Sequence, residues 1–245
     1  MSESYRPVLL YMPGLDGTGR LLYRQTGLYR DYRVLCESYP QAGPQTYESL
    51  AATAARHLEQ ATGGEAAIVL AESFGGAVAL TLALTRPELI RRMVLCNTFA
   101  YYPARFRINL LAWLSSFAPT RPVHPFTRRP RSWIFLSPEL TATELDAFWE
   151  RTADVPMSVM GVRLHLIRDL DLRSQLGRIT IPTLVLASCN DQVVPPTAGR
   201  ELARRLPRAH LIEIRAGHAA LIHPRIDIAQ LLAAPRYREP ALSAS

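Results

Sequence analysis

Apolar residues in this chain fall into short runs, broken by proline, glycine and polar residues, and longer stretches between the runs carry helical spacing. Residues 6–12 (RPVLLYM) form the first run, stopped by Pro13 and Gly14, and read as a buried strand. Residues 21–30 read as a modest helix and 32–38 as a second strand. Residues 46–62 read as a strong amphipathic helix with Ala51, Ala54, Ala55 and Leu58 on one face. A third strand at 66–72, a helix at 74–86 halted by Pro87, and a fourth strand at 91–97 continue the rhythm. Strand, helix, strand at ordinary crossover length means a parallel sheet with right-handed connections.

The alternation lapses between residues 99 and 179. Residues 104–117 are helix-like and apolar nearly all round, with Phe106, Ile108, Leu110, Leu111, Trp113, Leu114 and Phe117. Residues 120–131 are rich in proline and arginine and read as loop. Thr141 and Glu144 have the spacing of a capping box, opening a helix that carries Leu145, Phe148 and Trp149. Residues 156–170 make another helix candidate. The block reads as a helical cap inserted after the fourth strand; the alternative is that these helices continue the core on one sheet face. A fifth strand at 181–188, a helix at 197–206, a sixth strand at 209–214 and a last helix at 224–234 then restore the rhythm. The expected organisation is an α/β core of residues 1–98 and 180–235, a cap of residues 99–179 and a loose tail at 236–245. The core is a mainly parallel sheet of about six strands with helices on both faces.

Composition narrows the chemistry. A chain of 245 residues with 48% apolar content suits one α/β domain with an insertion. The formal net charge of +7 comes entirely from arginine, because the chain has no lysine. That excludes a lysine Schiff base, a P-loop lysine and a Tyr-x-x-x-Lys dehydrogenase dyad. Arg121, Arg128, Arg129 and Arg131 form one local cluster, readable as solvated surface or as attraction for anionic substrates or a membrane surface. Cys36, Cys96 and Cys189 stand alone, so neither a metal site nor a disulfide framework is indicated. Residues 1–4 are polar and no apolar run is long enough to span a membrane. The expectation is a reduced, cytoplasmic protein without signal peptide or stable membrane insertion.

The candidate chemistry centres on Ala71-Glu72-Ser73-Phe74-Gly75-Gly76, between the third strand and its helix. One serine flanked two residues away by Ala71 and Gly75 is the pattern of a nucleophile elbow. The turn crowds the backbone, so small neighbours are needed, and it lifts the hydroxyl above the sheet at a helix N-terminus that favours an anion. Alone, the pattern also fits a plain tight turn. A serine needs a base, and the base needs an orienting acid. Asp191 follows the fifth strand and His218 the sixth, the places where such groups sit in open parallel sheets. An aspartate after a strand is ordinarily a turn residue and a lone histidine a satisfied one, but Ser73, Asp191 and His218 after successive strands form a set. His57, His165, His210 and His223 sit in helices, a strand or a helix start, and Asp154, Asp169 and Asp171 precede the fifth strand. Glu72 reads as a local anchor. The expected oxyanion donors are the backbone N–H groups of Phe74 and Leu15, the latter from the loop Pro13-Gly14-Leu15-Asp16-Gly17. That loop also invites a dinucleotide-binding reading with Glu37 as its acid, but its glycines run G-x-x-G-x-G, the wrong spacing.

Together these residues resemble the α/β-hydrolase superfamily over essentially the whole chain: Pro13-Gly14 for the oxyanion loop, the elbow at Ser73, Asn190-Asp191 for the acid and Ala216-Gly217-His218 for the base. PGLDGTG and AESFGG are similar to the P-G-[IL]-D-G-T-G and G-E-S-[FL]-G-G motifs of the lipid-acting branch that includes phytyl ester synthases and esterase/lipase/thioesterase proteins. Where those have glycine and the family habit is His-Gly, this chain has Ala71 and Pro13. The resemblance implies a serine hydrolase of carboxylic esters working through an acyl-serine, without metal or cofactor. It also implies that the two usual N-terminal antiparallel strands are missing here. The apolar cap points to a small hydrophobic ester as partner, not nucleic acid, with Trp113, Phe117 and Trp149 as candidate substrate-binding residues. Thioester hydrolysis, lipid acyl transfer and ligand binding without catalysis are the alternatives.

Overall fold

Six of the apolar runs become strands of one sheet: β1 (Val8–Met12), β2 (Arg33–Cys36), β3 (Ala67–Glu72), β4 (Ile90–Cys96), β5 (Thr183–Ser188) and β6 (Ala209–Ile214). All pair in parallel, in the order β2-β1-β3-β4-β5-β6. The structure, a computed structural model, describes residues 6–117 and 140–234. Residues 1–4, the 120–131 loop with its arginine cluster and the 236–245 tail lie outside the described residues. The helices are α1 (Thr26–Asp31), α2 (Tyr47–Thr62), α3 (Phe74–Thr85), α4 (Arg105–Ser115), α5 (Ala142–Thr152), α6 (Met157–Asp169), α7 (Pro196–Arg205) and α8 (Ile228–Ala233).

The period-2 alternation of a strand sorts its side chains into two layers. Leu10, Met12, Val69, Ala71, Met93 and Leu95 pack with α2, α3 and α7. Leu9, Tyr11, Ile68, Leu70, Val94 and Cys96 pack with α1 and α8 on the other side. With both faces covered, β3 and β5 are buried along their whole length. Strand order reverses at β1: β2 lies on one side of it and β3 on the other. Crossovers leave to opposite faces at such a point and open a crevice past the carboxyl ends of the strands. The Pro13–Gly17 loop after β1 and Ser73 after β3 meet there.

Two helices differ from the sequence expectation. The stretch 21–30 divides into a 3-10 turn (Arg20–Leu22) and α1, because Gln25 breaks the run. Its buried amide donates to the carbonyls of Leu221 and Ile226 and accepts from the Ile228 N–H, tying the two segments together. The last helix begins at Ile228 rather than 224, where Asp227 caps it by accepting from the Gln230 N–H.

Between β4 and β5 the chain leaves and returns through one neck. Tyr101 bridges Asp171, and the Leu172 N–H donates to the Ala100 carbonyl at 2.9 Å. α4 and α6 pack on each other, and Ile108 and Ile167 join the main core cluster. α5 opens with the capping box of Thr141 and Glu144 and sits against the 3-10 turn at Arg20–Leu22. The outer side of α4 leaves Phe106 and Trp113 exposed, and Phe117 just beyond it is exposed as well. Among the described residues, no helix is long and apolar enough to cross a membrane.

The start of α3 has no spare volume. A Cβ at Gly75 would lie 2.5 Å from the Met12 carbonyl oxygen, and one at Gly76 would lie 2.5 Å from Thr98 Cβ. Gly76→Ala is expected to lower the unfolding free energy by about 3 kcal/mol, from overpacking against the Thr98 side chain, whose hydroxyl is tied to the Ser73 carbonyl. Urea denaturation measures it, and a loss under about 0.5 kcal/mol would contradict the packing described.

Candidate active site

Ser73 occupies the turn between β3 and α3 with φ 53° and ψ −120°, a conformation that non-glycine residues rarely hold. Neighbours fix it there. The Ser73 N–H donates to the Cys96 carbonyl at 3.0 Å, and the Ser73 carbonyl accepts from Thr98 Oγ1 at 2.5 Å. Ser73 is the N-cap of α3, so the first N–H groups of that helix point toward the space above it. The Phe74 ring is buried below, 5.1 Å from Tyr47 and 5.8 Å from Tyr39.

Three strand ends converge on this serine. His218 Nε2 lies 2.9 Å from Ser73 Oγ, and His218 Nδ1 lies 2.7 Å from Asp191 Oδ2. The second carboxylate oxygen, Oδ1, accepts from the Val193 and Val194 N–H groups at 2.7 and 2.8 Å. All three residues are buried. With Nδ1–H donating to the carboxylate, Nε2 is left to accept from the hydroxyl, the arrangement that a general base for serine requires.

Two residues that sequence reasoning passed over set this geometry. Asn97, also at positive φ (47°), directly follows β4. Its Nδ2 faces the His218 carbonyl at 2.6 Å and Ser188 Oγ at 2.9 Å, and its Oδ1 accepts from the Ser188 N–H at 2.8 Å. One amide thus ties the ends of β4 and β5 to the loop bearing the histidine. Thr98 holds the elbow carbonyl. The available signal was a pair of polar residues directly after an apolar strand.

Charge around His218 favours its protonated form. Burial pulls its pKa down, but the charge and hydrogen bond of Asp191 and the charge of Glu72 push harder, and the net value stands above that of an ordinary imidazole. A base must be neutral to act. The acid limb of kcat/KM is therefore expected above the ~6.5 of a free imidazole. Asp191→Asn removes the charge and moves that limb to lower pH; a pH–rate profile checks both. The same raised value stabilises the fold below the free-imidazole pKa, and that gain is lost as pH rises through the folded one.

Glu72 lies directly behind the serine. Its Oε2 accepts from the Tyr11 hydroxyl at 3.0 Å. Burial raises its pKa to about 7, against the His218 charge and the Tyr11 bond, which hold it down. A carboxyl whose folded pKa is raised weakens the fold as pH climbs from its unfolded value through the folded one. Glu72→Gln is expected to be more stable than the parent at pH 8, by roughly 2 kcal/mol, with the advantage gone near pH 5. Equal unfolding free energies at pH 8 would contradict this.

The Pro13–Gly17 loop sits beside the serine. A Cβ added to Gly14 would be 3.5 Å from Ser73 Cβ, and the Gly17 N–H closes a turn onto the Gly14 carbonyl at 3.1 Å. Leu15 lies inside that turn. The sequence candidates for substrate contact fall in separate places. Trp113 on α4 and Phe117 just beyond its end are exposed, with ring centroids 5.2 Å apart. Trp149 packs with a small apolar cluster of Leu21, Leu140, Phe148 and Ile222, joined by Ala219. His223 is buried and its Nδ1 accepts from the Arg225 N–H. His57 pairs with Glu37, which removes that acid from any ribose-binding role in the dinucleotide reading. Among the described residues, no group of three or more His, Cys, Asp or Glu is placed to hold a metal ion.

A buried serine, histidine and aspartate above the carboxyl edge of a six-stranded parallel sheet define the hydrolase class of α/β proteins. Residues 7–223 match the alpha/beta hydrolase fold family, and the chain belongs to that family. It is 30% identical over 248 residues to a Stutzerimonas stutzeri (strain A1501) protein assigned as carbamate hydrolase RutD, spanning 94% of this chain and 91% of that one. A protein with the same assignment from Pseudomonas syringae pv. syringae (strain B728a) is 28% identical over 235 residues, spanning 88% of each. Among solved structures, the enol-lactonase of Burkholderia xenovorans LB400 is similar in fold, with a TM-score of 0.81 at 20% identity over 95% of this chain and 92% of that chain. A hydrolase from Pseudomonas aeruginosa PA01 has a TM-score of 0.77 at 25% identity, over 90% and 86%.

Proposed function

We propose that this protein is a serine hydrolase that cleaves carboxylic esters of hydrophobic acyl groups through an acyl-serine intermediate. The observation that carries the reading is the unbroken chain from Ser73 Oγ through His218 to Asp191, at 2.9 and 2.7 Å. Ser73 Oγ attacks the acyl carbonyl while His218 Nε2 takes its proton. Asp191 keeps the imidazole in the right tautomer and balances the imidazolium. The N–H groups of Phe74 and Leu15 receive the oxyanion. Collapse expels the alcohol with the proton from His218. Water, deprotonated by the same histidine, then attacks the acyl-serine, releasing the acid and restoring the hydroxyl.

The hydrophobic acyl group is supported by the cluster around Phe148. Leu21 follows the oxyanion loop, Ala219 and Ile222 follow His218, and Phe148 and Trp149 come from α5, so apolar side chains from the helical insertion adjoin both loops that flank the serine. In this reading residues 99–179 act as a cap that selects the acyl chain. A second reading, carbamate hydrolysis, is favoured by the assignment of the relatives at 28–30% identity. The same attack on a carbamate carbonyl gives a carbamoyl-serine.

A series of p-nitrophenyl esters of increasing acyl length, run beside the p-nitrophenyl carbamates, tests the proposal. kcat/KM is expected to rise with acyl length. A flat series contradicts the hydrophobic pocket, and carbamate turnover exceeding that of every ester establishes the second reading.

A further inference from the structure

Arg163 is the largest fully buried side chain of the described residues, and it comes from α6, inside the insertion. Its side-chain hydrogen bonds reach across to the core. Nη1 donates to the Leu15 carbonyl at 2.7 Å, Nη2 to the Pro40 carbonyl at 2.9 Å, and Nε to Gln45 Oε1 at 3.1 Å. The guanidinium lies over the Tyr39 ring at 5.5 Å. A buried charge of this kind is costly unless paired. Burial lowers its pKa to about 10, and Asp16 and Tyr39 oppose that, so the group stays cationic at neutral pH.

The loop is shaped around it. Gly17 stands at φ 64°, and a Cβ there would lie 2.7 Å from Arg163 Cζ. A trans peptide points its N–H opposite its carbonyl. The Gly14 carbonyl, whose peptide carries the Leu15 N–H, is held by the Gly17 N–H within the loop, and the Leu15 carbonyl in the next peptide plane is held by Arg163 from α6, so two consecutive planes flanking Leu15 are fixed. The N–H direction of Leu15 is then set before substrate arrives, with the guanidinium bonded to the carbonyl of the same residue. Pre-set donors of this kind act on the transition state and not on the ground state.

We infer that Arg163 is a positioning residue for the oxyanion hole, clamping the Leu15 peptide from the helical insertion so that the insertion and the catalytic loop are set as one unit. The inference rests on the serine-hydrolase reading above.

The test compares the parent with Arg163→Met and Arg163→Lys on p-nitrophenyl butyrate, each rate divided by the active sites titrated with a fluorophosphonate. Arg163→Met is expected to lower kcat per active site by about 100-fold with KM within about threefold. The affinity for a long-chain alkyl trifluoromethyl ketone, which forms a tetrahedral adduct with the serine, is expected to weaken by the same factor. Arg163→Lys, with one donor head in place of a planar fork, recovers part of the loss. A kcat per active site within threefold of the parent, or a loss confined to KM or thermal stability, would overturn the inference. If Arg163→Met does not fold, Gln45→Leu is read instead. Loss of the Nε acceptor is expected to lower kcat and ketone affinity together by about fivefold, and no change in either overturns the clamp. Failure of the parent itself to turn over ester or to label at Ser73 is a separate result: it overturns the hydrolase reading and the inference with it.

Discussion

Ser73→Ala is expected to lower kcat for p-nitrophenyl esters by about 10⁵-fold while leaving the fold intact, because loss of a triad nucleophile removes nearly all of the covalent route. In the proposed mechanism the residual rate over water comes from the Phe74 and Leu15 N–H groups. The substitution deletes only Oγ and its bond to His218 Nε2. The bonds that hold the turn, Ser73 N–H to the Cys96 carbonyl and the Thr98 hydroxyl to the Ser73 carbonyl, use only backbone atoms of Ser73 and survive it. The melting temperature is therefore expected within a few degrees of the parent. Steady-state kinetics and a thermal melt on one preparation separate the two effects, and a loss smaller than about tenfold would contradict the nucleophile.

Asp191→Asn is expected to cost about 10⁴-fold in kcat, by a tautomer trap that this site makes explicit. Asp191 Oδ1 accepts two backbone N–H groups, from Val193 and Val194. In the variant, the amide oxygen keeps those bonds, because the NH2 group cannot accept them. The amide N–H then faces His218 Nδ1 and donates to it. That leaves the imidazole proton on Nε2, facing Ser73 Oγ, where it can no longer take the hydroxyl proton. KM is expected to change little, since the acid is buried behind the histidine. Kinetics of the purified variant check this. A kcat within tenfold of the parent would show that another group orients the base.

Much of this arrangement was legible because the patterns were local. A buried parallel strand is a short apolar run and each run here ends in a turn signal, so the strand positions and the six-stranded parallel sheet followed from periodicity. The spacing Ala71, Ser73, Gly75 marked the elbow because the crowding it relieves is local too. Helix boundaries were read less well where a long-range bond decides them. Gln25 divides the stretch 21–30 by bonding to residues about 200 positions away, which no window around it reveals. Arg163 was passed over for the same reason: in sequence it is one of 28 basic residues, and only the fold brings it to the Leu15 carbonyl. Asn97 and Thr98 left a weak local trace, polar residues at the end of a buried strand. Trp113 and Phe117 offer only aromatic character as a signal, and on or just past a helix that leaves them exposed such character says little about the side they serve.

The nucleophilic role of Ser73 is tested most directly by mass spectrometry after treatment with a fluorophosphonate. A single adduct is expected on the peptide carrying Ser73, absent from Ser73→Ala and formed far more slowly in His218→Ala. A folded parent protein that takes up no label, or takes it up on a different serine, would contradict that role.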